Sequence, residues 1–144
     1  ADRDLGRDAS MIESYSWTAL ATLGAILTYL FIGFGVSAAR RRHGLPPPAM
    51  HGNEAVERHL RAHGNTLEWL PIFLPSLWLF ALYWNDVWAG ALGAVWIVGR
   101  ILYAVGYARS AAGRAPGFFI QALASLALIV GAAWGAIETL TGAR

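Results

Sequence analysis

Four polar residues in VERHLRAHGNTLEWLPIFLPSLWLF, Val56 to Phe80, could do chemistry together: Arg58, Arg61, Asn65 and Glu68. On a helix turning about 100° per residue, their directions fall within roughly 80° of one another. They form one polar stripe, and beyond it no charge occurs until after Asn85. His63 lies on another face. Farther along, Arg100, Tyr103 and Tyr107 share a helical face, and Arg114 follows close by. Arginine grips carboxylates with two parallel N–H groups. A carboxylate such as Glu68 takes an ammonium, while amides and phenols supply neutral hydrogen bonds. The set suits a small zwitterion bearing more than one carboxylate. It equally suits an internal ion-pair network, in which Glu68 neutralises Arg100 or Arg61 and Asn65 bridges backbones. Residue types alone leave both open.

An ionisable group at the lip of an apolar segment is costly, so the elements around it must offset that cost. Hydrophobic residues make up 56% of the 144-residue chain and charged residues only 14%. An ordinary soluble domain is about a quarter charged. Seven tryptophans and sixteen glycines suit membrane helices. Cysteine is absent, which excludes a disulfide framework, a thiolate metal site and a cysteine nucleophile. Lysine is absent too, and all eleven basic residues are arginine. Any anion site must therefore use arginine, histidine or backbone donors. The net charge of +2 is too small to imply nucleic acid.

Charge-free runs predict an all-α fold: an integral membrane four-helix bundle forming one domain over residues 1–144, with spans near 14–40, 54–84, 87–110 and 115–140. The first run, Ser14 to Ala39, is 26 residues long; about 20 suffice to cross a bilayer. The proline run in HGLPPPAMHGNE forbids helix, and Asn53 is a candidate cap for the segment that follows. YWNDVW reads as a turn with tryptophans at an interfacial belt. Pro116 suits the first turn of the last span. Arginine counts orient the chain. Arg40, Arg41, Arg42, Arg58 and Arg61 mark the first loop, and Arg109 and Arg114 the third, with Arg100 nearby. In the N-terminal tail Arg3 and Arg7 are diluted by Asp2, Asp4, Asp8 and Glu13, and the C-terminus has only Arg144. The positive-inside rule predicts cytoplasmic first and third loops, with both termini on the opposite side. No cleavable signal peptide is evident, and Met11 is a candidate start. Small residues at four-residue spacing, Ala127, Gly131 and Gly135, and Gly33 with Ser37, predict close helix contacts and permit self-association.

ERHLRAHGNTLEWLPIFL together with RILYAVGYARSAAGR resembles the MAPEG family, the membrane-associated proteins in eicosanoid and glutathione metabolism. The resemblance runs from about Ser37 to Leu140; the first span fits by length only. It implies a homotrimer in the lipid bilayer, with glutathione as co-substrate bound between subunits near the cytoplasmic face. By this resemblance Arg61, Asn65 and Glu68 would hold glutathione from the second helix. Arg40 would meet a ligand carboxylate across the interface, and Tyr103 and Tyr107 would line the peptide. Arg100 and Trp69 join this binding set, and Arg114 would face the sulfur as the catalytic residue. Trp69 stands where a tyrosine is common in the family, so that hydrogen bond is not carried over. No metal enters the scheme.

The implied activity is that of a glutathione transferase joining the glutathione thiolate to a hydrophobic electrophile, with peroxidase chemistry on a hydroperoxide as an extension. The alternative is a non-catalytic trimeric glutathione-binding or scaffolding subunit. A transporter or channel suits the chain less, because it shows no duplicated half and no run of charges along the middle of a span.

Overall fold

The protein, described by a computed structural model over residues 14–142, is built from four long helices. They are α1 (Ser16–His43), α2 (Glu54–Tyr83), α3 (Asp86–Arg109) and α4 (Ala115–Thr141). A short 3-10 turn, Ala112–Arg114, joins α3 to α4. Each long helix has the length and apolar content needed to cross a membrane. The expectations for Arg3, Arg7 and the acidic residues of the N-terminal tail, for a start at Met11, and for Arg144 lie outside the described residues.

Helix α2 carries the polar stripe and the apolar run on one rod. Asn53 starts it: its side-chain oxygen accepts the N–H groups of Ala55 at 3.0 Å and Val56 at 3.2 Å. With 30 residues at a rise of 1.5 Å each, α2 is about 45 Å long. The hydrocarbon core is about 30 Å thick. The first turns of α2 therefore extend past the apolar layer, and these turns bear the charges.

The interior is built at the level where helices come closest. Phe73 of α2 stacks on Trp96 of α3 with ring centroids 4.1 Å apart. Leu70, Leu77 and Leu128 close around that pair. Outward faces are strongly apolar, with Phe31, Leu123, Trp134 and Leu140 all exposed. A water-soluble monomer would not leave such surface bare; against lipid it is at no disadvantage. Three buried hydroxyls turn back onto their own helices, the arrangement that hydrocarbon favours because no water reaches them there. Thr28 donates to the Gly24 carbonyl, Thr66 to Ala62 and Ser125 to Gln121.

The small residues do bring helices together, but within the chain. Gly131 lies against the Phe80 ring and Gly135 against Tyr83, joining α4 to α2. Gly33 lies against His63. Ala127 and Ser37 are exposed within the single chain.

One carboxylate fastens α1 to the rest. Tyr15 gives α1 no side-chain cap. Asp86, in the first turn of α3, supplies it from 68 residues away, accepting the Trp17 N–H at 2.8 Å and the Thr18 N–H at 2.7 Å. Free N–H groups at a helix start attract a carboxylate by hydrogen bonding and by the helix dipole. Asp86→Ala is expected to cost about 1–2 kcal/mol, the range for losing a helix cap. Asp86→Asn is expected to keep part of it. Thermal unfolding in detergent checks this; an unchanged midpoint for Asp86→Ala would show that the cap is dispensable.

Candidate functional site

The central group of the site is Arg100 on α3. Its side chain is 0% exposed, an unusual state for a guanidinium. It has no carboxylate partner: among the described residues the ion pairs are Arg58 with Glu54 and His51 with Glu57. Its Nη1 donates to the Asn65 Oδ1 at 3.0 Å. Aromatic faces do the rest. The Arg100 Cζ lies 4.8 Å from the Tyr103 ring centroid, 5.5 Å from Trp96 and 5.8 Å from Trp69. Ring quadrupoles stabilise a desolvated cation without neutralising it.

The arrangement continues outward from both sides of Arg100. Asn65 Nδ2 donates to Glu68 Oε2 at 3.2 Å, so the exposed carboxylate is reached through an amide rather than by direct contact. Tyr103 meets Tyr107 edge-on at 5.7 Å, and the Arg114 Cζ stands 4.8 Å from the Tyr107 centroid. Two cations, one buried and one exposed, thus rest on two adjoining phenol rings. Trp69 meets Phe118 of α4 edge-on at 5.9 Å, bringing the fourth helix to the same layer.

Glycines fix the corner that presents Arg114. A side chain at Gly106 would collide with the Gly113 carbonyl, and one at Gly117 with the backbone N of Tyr103. The end of α3, the 3-10 turn and the start of α4 can pack this closely only without those side chains. Arg114 therefore sits at the N-terminus of α4, where the first N–H groups add positive potential to its own charge.

Of the residues singled out from the sequence, seven form this connected set: Asn65, Glu68, Trp69, Arg100, Tyr103, Tyr107 and Arg114. Arg61 and Arg40 stand apart. Arg61 is exposed and lines a separate recess of about 300 Å³ with Met50, His51, Glu57 and Leu60. Arg40 donates to the Leu45 carbonyl at 3.3 Å and steadies the loop after α1. Arg58, which shares the α2 stripe, is held by Glu54 at 2.6 Å and reaches the Ala108 carbonyl at 3.4 Å. His63 stacks on Tyr29 of α1 at 4.4 Å, off the stripe. The ion-pair network that the residue types allowed is therefore absent at its centre: Glu68 pairs directly with neither Arg100 nor Arg61 among the described residues. Instead the layer holds a buried cation and an exposed anion joined by one amide.

The MAPEG family model matches residues 18–134. The chain belongs to the MAPEG family. A MAPEG chain is a membrane helical bundle, and this one is an integral, multi-pass membrane protein. An uncharacterized protein of Synechocystis sp. is 51% identical over 116 residues, covering 81% of this chain and 85% of that protein. Microsomal glutathione S-transferase 2 of Homo sapiens is 40% identical over 99 residues, 69% of this chain and 67% of that one. Leukotriene C4 synthase of Rattus norvegicus is 33% identical over 125 residues, 87% and 83% of the two chains.

One polar residue of this layer escaped the sequence reading. Gln121 of α4 is 0% exposed, and neither its Nε2 nor its Oε1 has a protein partner. The available signal was a lone amide in the run FFIQALASLALIV, which otherwise offers only a serine as a polar side chain.

Asn65 and Glu68 are neighbours on one stripe with opposite expected roles in stability. Asn65→Ala removes the one hydrogen bond to a buried cation, at a cost of about 1–3 kcal/mol. Glu68→Gln alters an exposed group and is expected to move the unfolding midpoint by much less. Equal effects in thermal unfolding would mean that Arg100 does not depend on Asn65.

Proposed function

We propose that this MAPEG protein is a membrane-embedded glutathione transferase. The observation that carries the reading is Arg100: a buried guanidinium with no carboxylate of its own, joined by Asn65 to an exposed glutamate. Glutathione has two carboxylates, one ammonium, two amides and a thiol. In this reading exposed Arg61 meets one of its carboxylates, Arg100 attracts the other from beneath the surface through its uncommitted charge, Glu68 takes the ammonium, and Asn65, Trp69, Tyr103 and Tyr107 line the peptide. The identity to microsomal glutathione S-transferase 2 and leukotriene C4 synthase supports it.

Arg114 is the proposed catalytic residue. A cysteine-type thiol has a reference pKa of about 8.5, so little is thiolate at neutral pH. A cation beside the sulfur favours the ionised form. Arg114 is exposed, rests over the Tyr107 ring and has the α4 N-terminus behind it. The thiol proton passes to water. The thiolate then attacks an electrophilic carbon delivered from the bilayer. With a halide, a C–S bond forms and halide leaves; with an epoxide, the C–O bond opens and the oxygen takes a proton. A hydroperoxide would instead be reduced to an alcohol and water while two glutathiones become the disulfide.

The reading includes a homotrimer. Arg40 lies outside the connected set within one chain, and an adjacent protomer would bring its own Arg40 to the site. It also includes cytoplasmic loops at the arginine-rich ends of the helices, where glutathione is available. A single cysteine at His51 in this cysteine-free chain is expected to react with an impermeant maleimide from the cytoplasmic side only. Native mass measurement is expected to return three chains. Monomers alone, or labelling from the opposite side, would remove the intersubunit site or its access.

Arg114→Ala is expected to raise the thiol pKa of bound glutathione while leaving most of its binding intact. The thiolate absorbs in the ultraviolet, so its fraction is titrated directly in the complex. Each pKa unit is worth about 1.4 kcal/mol, and turnover with a generic electrophile should fall in step. Arg114→Lys should recover only part, because ammonium differs from guanidinium in reach and hydration. Wild-type protein that binds glutathione without lowering its thiol pKa would be a binding subunit, not an enzyme.

A further inference from the structure

Gln121 is an amide in the wrong solvent. It lies in the middle of the bundle on α4, fully buried, with no protein group bonded to either side-chain atom. A buried amide left unpaired costs on the order of several kcal/mol against hydrocarbon, and native interiors pair such groups with protein or with ordered water. The other buried side-chain nitrogens left unpaired belong to the same layer: Arg100 Nε and Nη2, and Trp96 Nε1. Gln121 enters the core against Gly99, the residue that precedes Arg100 on α3. A Cβ built on Gly99 would lie 2.7 Å from the Gln121 backbone N and 3.0 Å from its Cβ. Trp96 borders the other side, its ring 5.5 Å from the Arg100 Cζ. The absence of a side chain at Gly99 is what lets the amide come so close.

Donors dominate this group. The guanidinium edge, the indole and the amide nitrogen all give protons, and only the Gln121 Oε1 accepts. Direct pairing cannot satisfy it. Water supplies two acceptor sites and two protons, and an internal water with two to four polar partners is an ordinary part of a protein interior. We infer that Gln121 is a positioning residue for Arg100, its amide holding the free edge of the guanidinium through ordered water and keeping Nη1 turned toward Asn65. The inference rests on the glutathione reading for its effect on the ligand, and deepens it by adding α4 to the walls of that site. An amide suits the task better than an acid. A glutamate at 121 would pair with Arg100 inside the protein and withdraw its charge from a ligand carboxylate. The amide steadies the cation and leaves its charge uncommitted.

The test uses the full chain in nanodiscs with glutathione as the probe. Gln121→Met keeps the unbranched length and removes the amide. Its glutathione dissociation constant is expected to rise about tenfold, the equivalent of about 1.4 kcal/mol, with assembly intact. Gln121→Glu is expected to weaken binding further while raising the unfolding midpoint of the ligand-free protein, a split that a merely structural role would not produce. Wild-type affinity in both variants overturns the inference, and should Gln121→Met fail to assemble, wild-type affinity in Gln121→Glu overturns it alone. A double-mutant cycle of Gln121→Met with Arg100→Met, read by unfolding without glutathione, tests the link separately. Non-additive midpoints support it and additive ones sink it. If wild-type protein binds no glutathione, the functional reading falls, and this cycle still decides whether Gln121 and Arg100 act together.

Discussion

A guanidinium buried without a carboxylate is the constraint around which this bundle is organised. Removing an ion from water costs several kcal/mol even after relaxation. A paired acid would offset that most directly, but the pair would then be inert toward ligands. Here the offset is spread over three aromatic faces and one amide oxygen, from Trp69, Trp96, Tyr103 and Asn65. Each such aromatic contact is worth about 0.5–2 kcal/mol, so several are needed. Three large rings around one side chain demand compensating smallness elsewhere. Gly99 and Gly117 answer that demand, letting α4 lie directly on α3.

The bilayer imposes a second constraint that explains why the polar groups gather at one level. Any N–H or carbonyl within hydrocarbon must be satisfied inside the protein. Along most of the bundle this is achieved by helix bonds and by hydroxyls turned back onto their own helix. Only near Arg100 does the interior become polar enough to face a ligand. The same rod, α2, carries the stripe on its N-terminal half and the apolar run beyond it, so the polar layer meets the apolar one without a break in the helix.

Much of the fold was legible because the signals were compositional. Long charge-free runs, a proline-rich loop, a capping asparagine and a turn with tryptophans need only a list of residues to be recognised, and the four helices follow those signals. Within the site, helical spacing brought Asn65 and Glu68 onto one face and Arg100, Tyr103 and Tyr107 onto another, and these stand together in space. What spacing could not convey was pairing across helices. Glu68 and Arg100 have opposite charges and lie at similar depth, yet Asn65 stands between them. The small-residue spacing has a related limit: it identifies a face that accepts a neighbour, but not whether the neighbour is α2 of the same chain or another protomer. Gln121 was overlooked because one amide barely alters the apolar character of its run, and its meaning comes only from Gly99 opposite.

The two arginines of the layer differ in what their surroundings permit. Both rest 4.8 Å from a tyrosine ring, and those rings touch edge to edge. Arg100 is enclosed on every side, so its position is fixed and its charge cannot be drawn away by solvent. In the proposed reading such a group sets the register of a ligand through its charge but cannot follow changes in it. Arg114 has its guanidinium at the surface, on a turn whose backbone is pinned by the contact of Gly106 with Gly113. Its backbone is set while its side chain is exposed and touches Tyr107 alone among the rings of the described residues. In the transferase reading proposed above, a reaction that begins with an ionised sulfur and ends with a neutral thioether is served by a cation that can adjust as that charge disappears. The tyrosine pair joins the buried cation to the exposed one, so that in this reading the group that orients the ligand and the group proposed to stand beside the sulfur share a common wall.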